Sequence, residues 1–416
     1  MLQTVARMKK TIIIAGLILL GMQVSGQEFE LPQLDGEEFE KLDVQVGADF
    51  ALQYQMLNHQ ADSLLIPLGK GVNLPTANFT IDAGLAPGMR VNLTTYLSSR
   101  HHVEAWVKGG YLLIDELPFL PYDGVDRVMD YLTLKVGVME LNYGDAHFFR
   151  SDNGDVLSNP FIGNLVMDAF TTAPAMEMLF RANGILAMGG ITTGTLKPSL
   201  AGYSSFSGYT AYNAVDELAF YWKGGYDKAI TGDLRIRATV SGYHSSNNHF
   251  GSLYNGDRTG SRFYLVMKPQ TGSPDDVDPA SSHNTGRWGP GFTDELNAFM
   301  VNLFATFHGL EVFGTYETNS GTGAFSGAEF GFNQVAVSGL YRFGKKEQFF
   351  AGAEVNTVSN DSDRSVTRIE AGGGWFLTEN VVLKLDYIDQ DYTGFITDYG
   401  ENAGFDGMMF EAAISF

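Results

Sequence analysis

The densest set of chemistry-bearing side chains lies in one stretch, Asn142-Tyr143-Gly144-Asp145-Ala146-His147-Phe148-Phe149-Arg150-Ser151-Asp152-Asn153-Gly154-Asp155. Asp145, Asp152, Asn153 and Asp155 offer the hard oxygen ligands that Ca²⁺ takes. Their spacing is not that of an EF-hand, and Asp-Asn-Gly-Asp is also ordinary turn chemistry, the simpler reading, so no metal is expected. The stretch continues through Asn159-Pro160-Phe161-Ile162-Gly163-Asn164 to Asp168-Ala169-Phe170. That is far longer than a turn needs, and it carries apolar residues that an exposed loop does not favour. Long loops of this kind are usually functional. We read it as a loop folded inward to form a constriction, with Asp145, His147, Arg150, Asp152 and Asp155 on it. A second loop holds Asn255-Gly256-Asp257-Arg258 and Arg262-Phe263-Tyr264. Arg258 and Arg262 suit an anion contact, although a basic pair flanked by acids is more simply a local salt-bridge cluster. The eight His are scattered, with His101-His102 and His147 the only suggestive ones, and no metalloprotease helix, nucleophile elbow or phosphate-binding loop is present. No enzyme and no cofactor are expected.

The remaining charges fall into a pattern of period two. Leu383, Leu385 and Tyr387 share one face, and Lys384 and Asp386 the other. Arg235 and Arg237 oppose Leu234, Ile236 and Ala238; Arg368 and Glu370 oppose Ile369 and Ala371; Glu354 and Asn356 oppose Ala353 and Val355. Glu104 and Lys108 oppose Val103, Ala105 and Val107, and Lys135 sits with Thr133 and Gly137. Arg90 and Asn92, Glu177 and Arg181, and Asp43, Gln45 and Asp49 follow the same rule. Period two is the signature of strands with two unlike faces. A charge facing acyl chains at mid-depth costs about 2–4 kcal/mol for Arg or Lys. Repeated over many strands that cost would defeat insertion, so in a membrane barrel these charges face water. Some pairs neutralise each other and brace the wall, which is compatible with ion passage.

These positions need strands to hold them. Alternation, turn residues and aromatic ends give about sixteen segments, the even number expected of a single-chain bacterial barrel: 42–56, 76–85, 88–98, 101–114, 129–141, 174–182, 185–195, 212–224, 230–245, 296–308, 309–319, 328–343, 348–358, 364–377, 381–393 and 406–416. Two alternatives stay open: 76–98 as one long strand, and 261–267 as an extra one. Tyr54, Tyr96, Tyr131, Tyr143, Tyr221, Trp222, Tyr243, Tyr341, Phe343, Trp375 and Tyr392 fall near strand ends and are candidates for aromatic girdles. Composition agrees with this: 49 Gly, 30 Phe and 19 Tyr against 13 Pro. Residues 1–26 carry Arg7, Lys9 and Lys10, the apolar run Ile12–Leu20 and small Ser25 and Gly26. That is a secretory signal peptide cleaved before Gln27, and the apolar run is short of the ~20 residues of a spanning helix. Without it the chain has 24 basic residues against 48 acidic ones, which argues against nucleic acid as a partner. Loop acid such as Asp275-Asp276-Val277-Asp278 is either a solvated surface or a divalent-ion bridge to lipopolysaccharide. With no Cys, no disulfide, thiolate site or lipoprotein anchor is possible.

The end of the chain carries a resemblance. Phe410, Ala412, Ile414 and Phe416 share a face, and a closing strand that ends on Phe looks like that of a Gram-negative outer-membrane barrel, where the terminal aromatic resembles the assembly signal. The stretch Gly372-Gly373-Gly374-Trp375-Phe376-Leu377-Thr378-Glu379-Asn380-Val381-Val382-Leu383-Lys384-Leu385-Asp386-Tyr387 resembles the last hairpin of the phosphate-selective porin O/P family. The resemblance covers the last stretch of the chain and is topological elsewhere. It implies a sixteen-stranded channel, usually a homotrimer, in the outer membrane among lipid and lipopolysaccharide. The family's phosphate selectivity rests on a ladder of basic residues; here the basic residues are interleaved with Glu and Asp, which puts phosphate in doubt. The expected layout is a signal peptide at 1–26, a flexible periplasmic segment at 27–41 and a barrel over 42–416. The carboxy terminus in the periplasm sets the sidedness: short turns inside, and the long loops 142–173 and 246–295 outside. The expected function is a porin passing ions and small hydrophilic solutes, with anion or phosphate preference open. Two alternatives are a fatty-acid-transporter-like barrel, for whose hatch 27–41 reads as too short and too acidic, and a structural or secretion-associated barrel that binds a protein partner.

Overall fold

The structure is a computed structural model that describes residues 27, 29–34, 39, 41–98, 104–120, 122–150, 156–194, 199–205, 208–215, 217–246, 252–255, 262–270, 272–273, 277, 282–292, 295–323 and 328–416. The expected signal peptide, the His101-His102 pair and the acids at 275, 276 and 278 lie outside the described residues.

The strands are β1 (Asp43–Gln60), β2 (Gly71–Val72), β3 (Thr76–Ala86), β4 (Met89–Ser98), β5 (Glu104–Ile114), β6 (Leu132–Glu140), β7 (Thr172–Ala182), β8 (Ile185–Thr192), β9 (Ser199–Ser205), β10 (Gly208–Val215), β11 (Ala219–Ala229), β12 (Leu234–Ser245), β13 (Leu296–Phe307), β14 (Leu310–Thr322), β15 (Glu329–Phe343), β16 (Phe349–Asn360), β17 (Ser365–Thr378), β18 (Val381–Thr393) and β19 (Ala403–Ser415). Sixteen of them, β1, β3–β8 and β11–β19, pair antiparallel with their neighbours, and β19 pairs back on β1 to close the barrel. The seam runs from Asp49 opposite Ser415 to Gln60 opposite Gly404. Phe416 extends it, donating its N–H to the Ala48 carbonyl and accepting from the Ala48 N–H. The short β2 continues the line of β3 along β1 after a break, and β9 and β10 form a separate hairpin.

The faces are inverted relative to a soluble sheet. On β18, Leu383 and Leu385 are 41% and 40% exposed, whereas Lys384 and Asp386 are 3% and 0% exposed. The apolar face outside and the charged face inside are what a lipid-facing barrel requires. At one rim Tyr341, Phe343, Phe349 and Trp375 stack in a row with centroids 6.4, 5.7 and 5.8 Å apart. Tyr143, Tyr221, Tyr243 and Tyr392, expected in the girdles, are instead buried inside the barrel, because their hydroxyls are held by lumen partners or packed under the loops.

The two ends differ. One carries tight connections, including Asn183-Gly184 and His308-Gly309. All four of these residues have positive φ, the primed geometry that matches strand twist. The other carries the long loops. The exception at the tight-turn end is 115–131, which holds a helix, Asp123–Met129, with Asp123 and Asp126 in its first turn and Arg127 in its last. That charge order complements the helix dipole, and it delays β6 to Leu132. Two further boundaries depart from expectation. The alternation of 212–224 runs on into β10 and β11, so the strand in the wall begins only at Ala219 and extends to Ala229. Residues 76–98 are two strands, broken at Gly88 with φ +62°, and Phe263 forms only an isolated bridge to Thr285.

Candidate functional site

The loop between β6 and β7 enters the barrel. Ile162, Val166 and Met167 have 0% exposure. A buried irregular loop exposes backbone polar groups that must find partners, and the lumen face of four neighbouring strands supplies them in order. Gln334 on β15 accepts from the Met167 N–H at 3.0 Å and donates to its carbonyl at 2.9 Å. Asn356 on β16 accepts from the Val166 N–H at 2.7 Å. Arg368 on β17 donates to the Asn164 carbonyl at 2.8 Å. On β18, Asp386 accepts from the Ile162 N–H at 2.6 Å and Lys384 donates to the Val156 carbonyl at 2.9 Å. The second long loop enters too, although its sequence suggested only an outside loop. Gln55 exchanges two 2.9 Å bonds with the Tyr264 backbone. Leu253, Phe263, Val266, Met267 and Phe292 join Ile162, Val166 and Met167 in one buried apolar cluster. The two loops are tied directly, Trp288 N–H to the Val166 carbonyl at 2.7 Å and Phe170 N–H to the Leu253 carbonyl at 2.9 Å.

The start of the first loop is clamped by charge. Asp145, fully buried, accepts from Arg237 at 2.8 and 2.9 Å, from Lys223 at 2.8 Å and from Thr239 at 2.7 Å. Burial alone would push this carboxyl up, but Lys223 and Arg237 hold it well below the ordinary carboxylate range. The same two cations take Glu30 from the amino-terminal segment: Arg237 bonds both of its oxygens, at 2.7 and 2.8 Å. Burial likewise opposes ionisation of Glu30, and Lys223 and Arg237 overcome it, setting its carboxyl at about 2. Gln27 and Phe29, 5% and 6% exposed, are therefore packed in the barrel rather than free before the first strand. The acid that reads as solvating in sequence is here the complement of buried lumen cations.

Between the plug and the β3–β7 wall remains a cavity of about 380 Å³, lined by polar groups that include Thr80, Asn92, Thr94, Lys108, Lys135, Glu140, Glu177 and His147. It reaches from Leu113, Thr133 and Leu179 near the tight-turn ends of their strands to Glu140 and Thr172 at the opposite ends. Its carboxylates are engaged: Glu177 by Tyr221 at 2.8 Å and the Asn142 N–H at 3.2 Å, Glu140 by His147. Lys135 lies 4.3 Å from the Tyr111 ring centroid and makes no ion pair among the described residues. Beside it in the register, two strands away, Arg90 buries Nε and Nη2 without a hydrogen-bond partner.

The residues singled out in sequence thus fall into three groups. Arg368, Lys384 and Asp386 grip the loop, and Arg368 also donates to Glu370 at 2.9 Å. Glu354, opposite Glu370 in the register, lines a small cavity of about 40 Å³ beside the same loop. Arg235, Arg237 and Arg181 meet the amino-terminal segment, Arg181 donating to the Leu31 carbonyl at 2.6 Å. Lys108, Lys135 and Glu177 border the open groove, and Arg90 lies outside its lining. On the loop itself, His147 pairs with Glu140 and Arg150 with Asp168. Asp152, Asp155, Arg258 and the side chain of Glu104 lie outside the described residues. Sequence reasoning placed Asn356 on the inward face but missed Lys223 and Gln334, the signal being their alternation with lipid-facing Trp222 and Val335.

A closed sixteen-stranded barrel with an apolar outer band, long loops at one end and a loop folded into its lumen is a porin-type transmembrane barrel. Solved outer-membrane proteins have this fold at very low identity. The anion-selective porin of Comamonas acidovorans matches with a TM-score of 0.53 at 9% identity, over 90% of this chain and 100% of that one. OprB of Pseudomonas putida matches at 0.52 and 11%, over 90% and 94%. In-vitro folded OmpT of Vibrio cholerae, in its trimer form, matches at 0.51 and 11%, over 91% and 100%. No protein-family model and no curated protein sequence matches the chain.

Proposed function

We propose that the chain is an outer-membrane porin that passes ions and small hydrophilic solutes along the groove between the plug and the β3–β7 wall. The observation that carries this reading is the polar cavity of about 380 Å³ running the height of β6. A groove walled by Thr, Asn, Lys and Glu keeps a small solute hydrated or replaces its waters, as conduction requires. The expected selectivity leans to anions, against the net charge of the chain. The groove wall carries the cations Lys108 and Lys135, while its carboxylates Glu140 and Glu177 are each bonded within the wall and plug, Glu177 also lying opposite Lys135 in the register. The phosphate preference that the closing hairpin implies would need a longer basic series than these two. The trimer described for the Vibrio cholerae protein is the assembly expected here, readable from mass in mild detergent.

Single-channel conductance of refolded protein, with the reversal potential read in a salt gradient, tests this. Discrete steps with an anion-leaning reversal support it, and a cation-leaning reversal would retain the porin while removing Lys108 and Lys135 as its selectivity determinants. A folded barrel that passes no current sinks the proposal.

A further inference from the structure

The amino-terminal segment is held too specifically to be a passive tail. Phe29 sits in a box of Phe148, Phe149 and Phe304, with ring centroids at 5.5, 5.9 and 5.2 Å, and Arg237 lies 4.1 Å from its ring centroid. Glu30 takes the bidentate bond from Arg237, a geometry that adds direction to charge. The backbone is read as well. Arg235 donates to the Gln27 carbonyl at 2.7 Å, Arg181 to the Leu31 carbonyl at 2.6 Å, and Asp115 accepts from the Leu34 N–H at 2.9 Å. These contacts come from β7, β12, β13 and the end of β5, so a full side of the barrel is shaped to one extended peptide.

Its position divides space. Phe29 and Glu30 line both the 380 Å³ groove and a second cavity of about 280 Å³ that reaches Asn183, Gly184 and Asp227 at the tight-turn end. The segment is the partition between the two. We propose that residues 27–34 are a ligand in cis for a peptide site in the lumen wall. The chemistry of that site selects an extended segment with an aromatic residue followed by a carboxylate, and its occupancy throttles the groove at the tight-turn end. The throttling half rests on the porin reading; the peptide site does not. The segment is covalently joined to β1, which begins at Asp43, so it stays attached when it leaves the site. Attachment keeps it at an effective concentration on the order of millimolar.

The test uses the refolded full chain, a variant lacking 27–34, and the full-length double variant Phe29→Ala/Glu30→Gln in case the deletion fails to refold. A labelled synthetic peptide of residues 27–34 is titrated up to millimolar concentration into the deletion or the double variant and followed by anisotropy, with a scrambled peptide as control. Unit conductance is recorded on the same samples. The expected result is saturable binding of the native peptide only. Unit conductance should rise by roughly twofold or more in the variants, and added peptide should bring it back down. Saturable binding with no current from any sample would keep the peptide site and overturn the porin reading with its throttle. Current from all samples, with no peptide binding and no change of conductance on deletion, would overturn the inference and leave the porin reading in place.

Discussion

Two sides of one lumen use the same alternation for different ends. On β15–β18 the inward polar groups hold a loop: Gln334, Asn356, Arg368, Asp386 and Lys384 each bind its backbone. On β3–β6 inward polar groups such as Thr80, Asn92, Lys108 and Lys135 border the groove, Lys135 beside the Tyr111 ring and opposite Glu177 in the register. A polar lumen face therefore does not by itself mean a wet lumen. Half of it is the solvent substitute that lets an irregular loop be buried, and the other half borders the remaining water path. Asp145, Lys223 and Arg237 sit where the halves meet, joining the start of the loop to the wall.

The largest effect should come from breaking that junction. Asp145→Ala leaves Arg237 and Lys223 to share Glu30 where they had shared two carboxylates, in a site where all of these side chains are almost fully buried. Removing one partner of a buried pair costs roughly 3–5 kcal/mol. The denaturant midpoint should fall accordingly, and the loop should become open to protease while the strands persist. An unchanged midpoint would mean that the clamp is not what seats the plug.

Acid should act on the same junction more gently. The Glu30 carboxyl is depressed from an ordinary 4.5 to about 2. A depressed carboxylate contributes stability that is complete above the ordinary value and is lost as pH falls through the folded one. The amino-terminal segment should thus stay seated at neutral pH and loosen progressively between about pH 4.5 and 2. Hydrogen exchange of residues 29–34 across that window reads this out, and loosening already at pH 6 would contradict the ion-pair account.

The strand order and the inward charges were legible because each rests on period two and on turn chemistry, which are local. The contacts that fill the lumen were not. Gln334 meets Met167, and Glu30 meets Arg237, across more than a hundred residues of sequence, and nothing in a strand announces which loop will lie on it. The apolar residues Ile162, Val166 and Met167 did signal that the first loop turns inward. The second loop spreads Phe263, Val266 and Phe292 among acids, so its inward course was hidden. The acidic segment misled for a related reason: acid reads as solvating until the buried cations that it answers are placed beside it.

The glycine run of the closing hairpin gives a smaller test. A Cβ on Gly372 would overlap Asp386 Oδ1 and the Leu385 carbonyl, whereas a Cβ on Gly224 would meet nothing within 4 Å. Gly372→Ala should cost about 1–3 kcal/mol by overpacking and disturb the Asp386 bond to the Ile162 N–H, while Gly224→Ala on the other side should refold like the parent. Equal midpoints for the two would mean that the gripping wall tolerates rearrangement.

The sharpest division between the sides is the smallest in energy. Lys384 is fully buried against Glu411 at 2.7 Å, so Lys384→Ala strands a buried carboxylate and a loop carbonyl. It should lower stability without moving the reversal potential, since no path runs there. Replacing Lys135 removes its contact with the Tyr111 ring, worth about 0.5–1 kcal/mol at exposed sites, and an attraction to Glu177 opposite it that involves no direct ion pair. Lys135→Ala should therefore leave the midpoint nearly unchanged, yet shift the reversal potential toward cations by removing a charge beside the groove. If Lys384→Ala shifts selectivity and Lys135→Ala does not, the water path lies on the opposite wall, and the two sides of the lumen exchange the roles assigned to them.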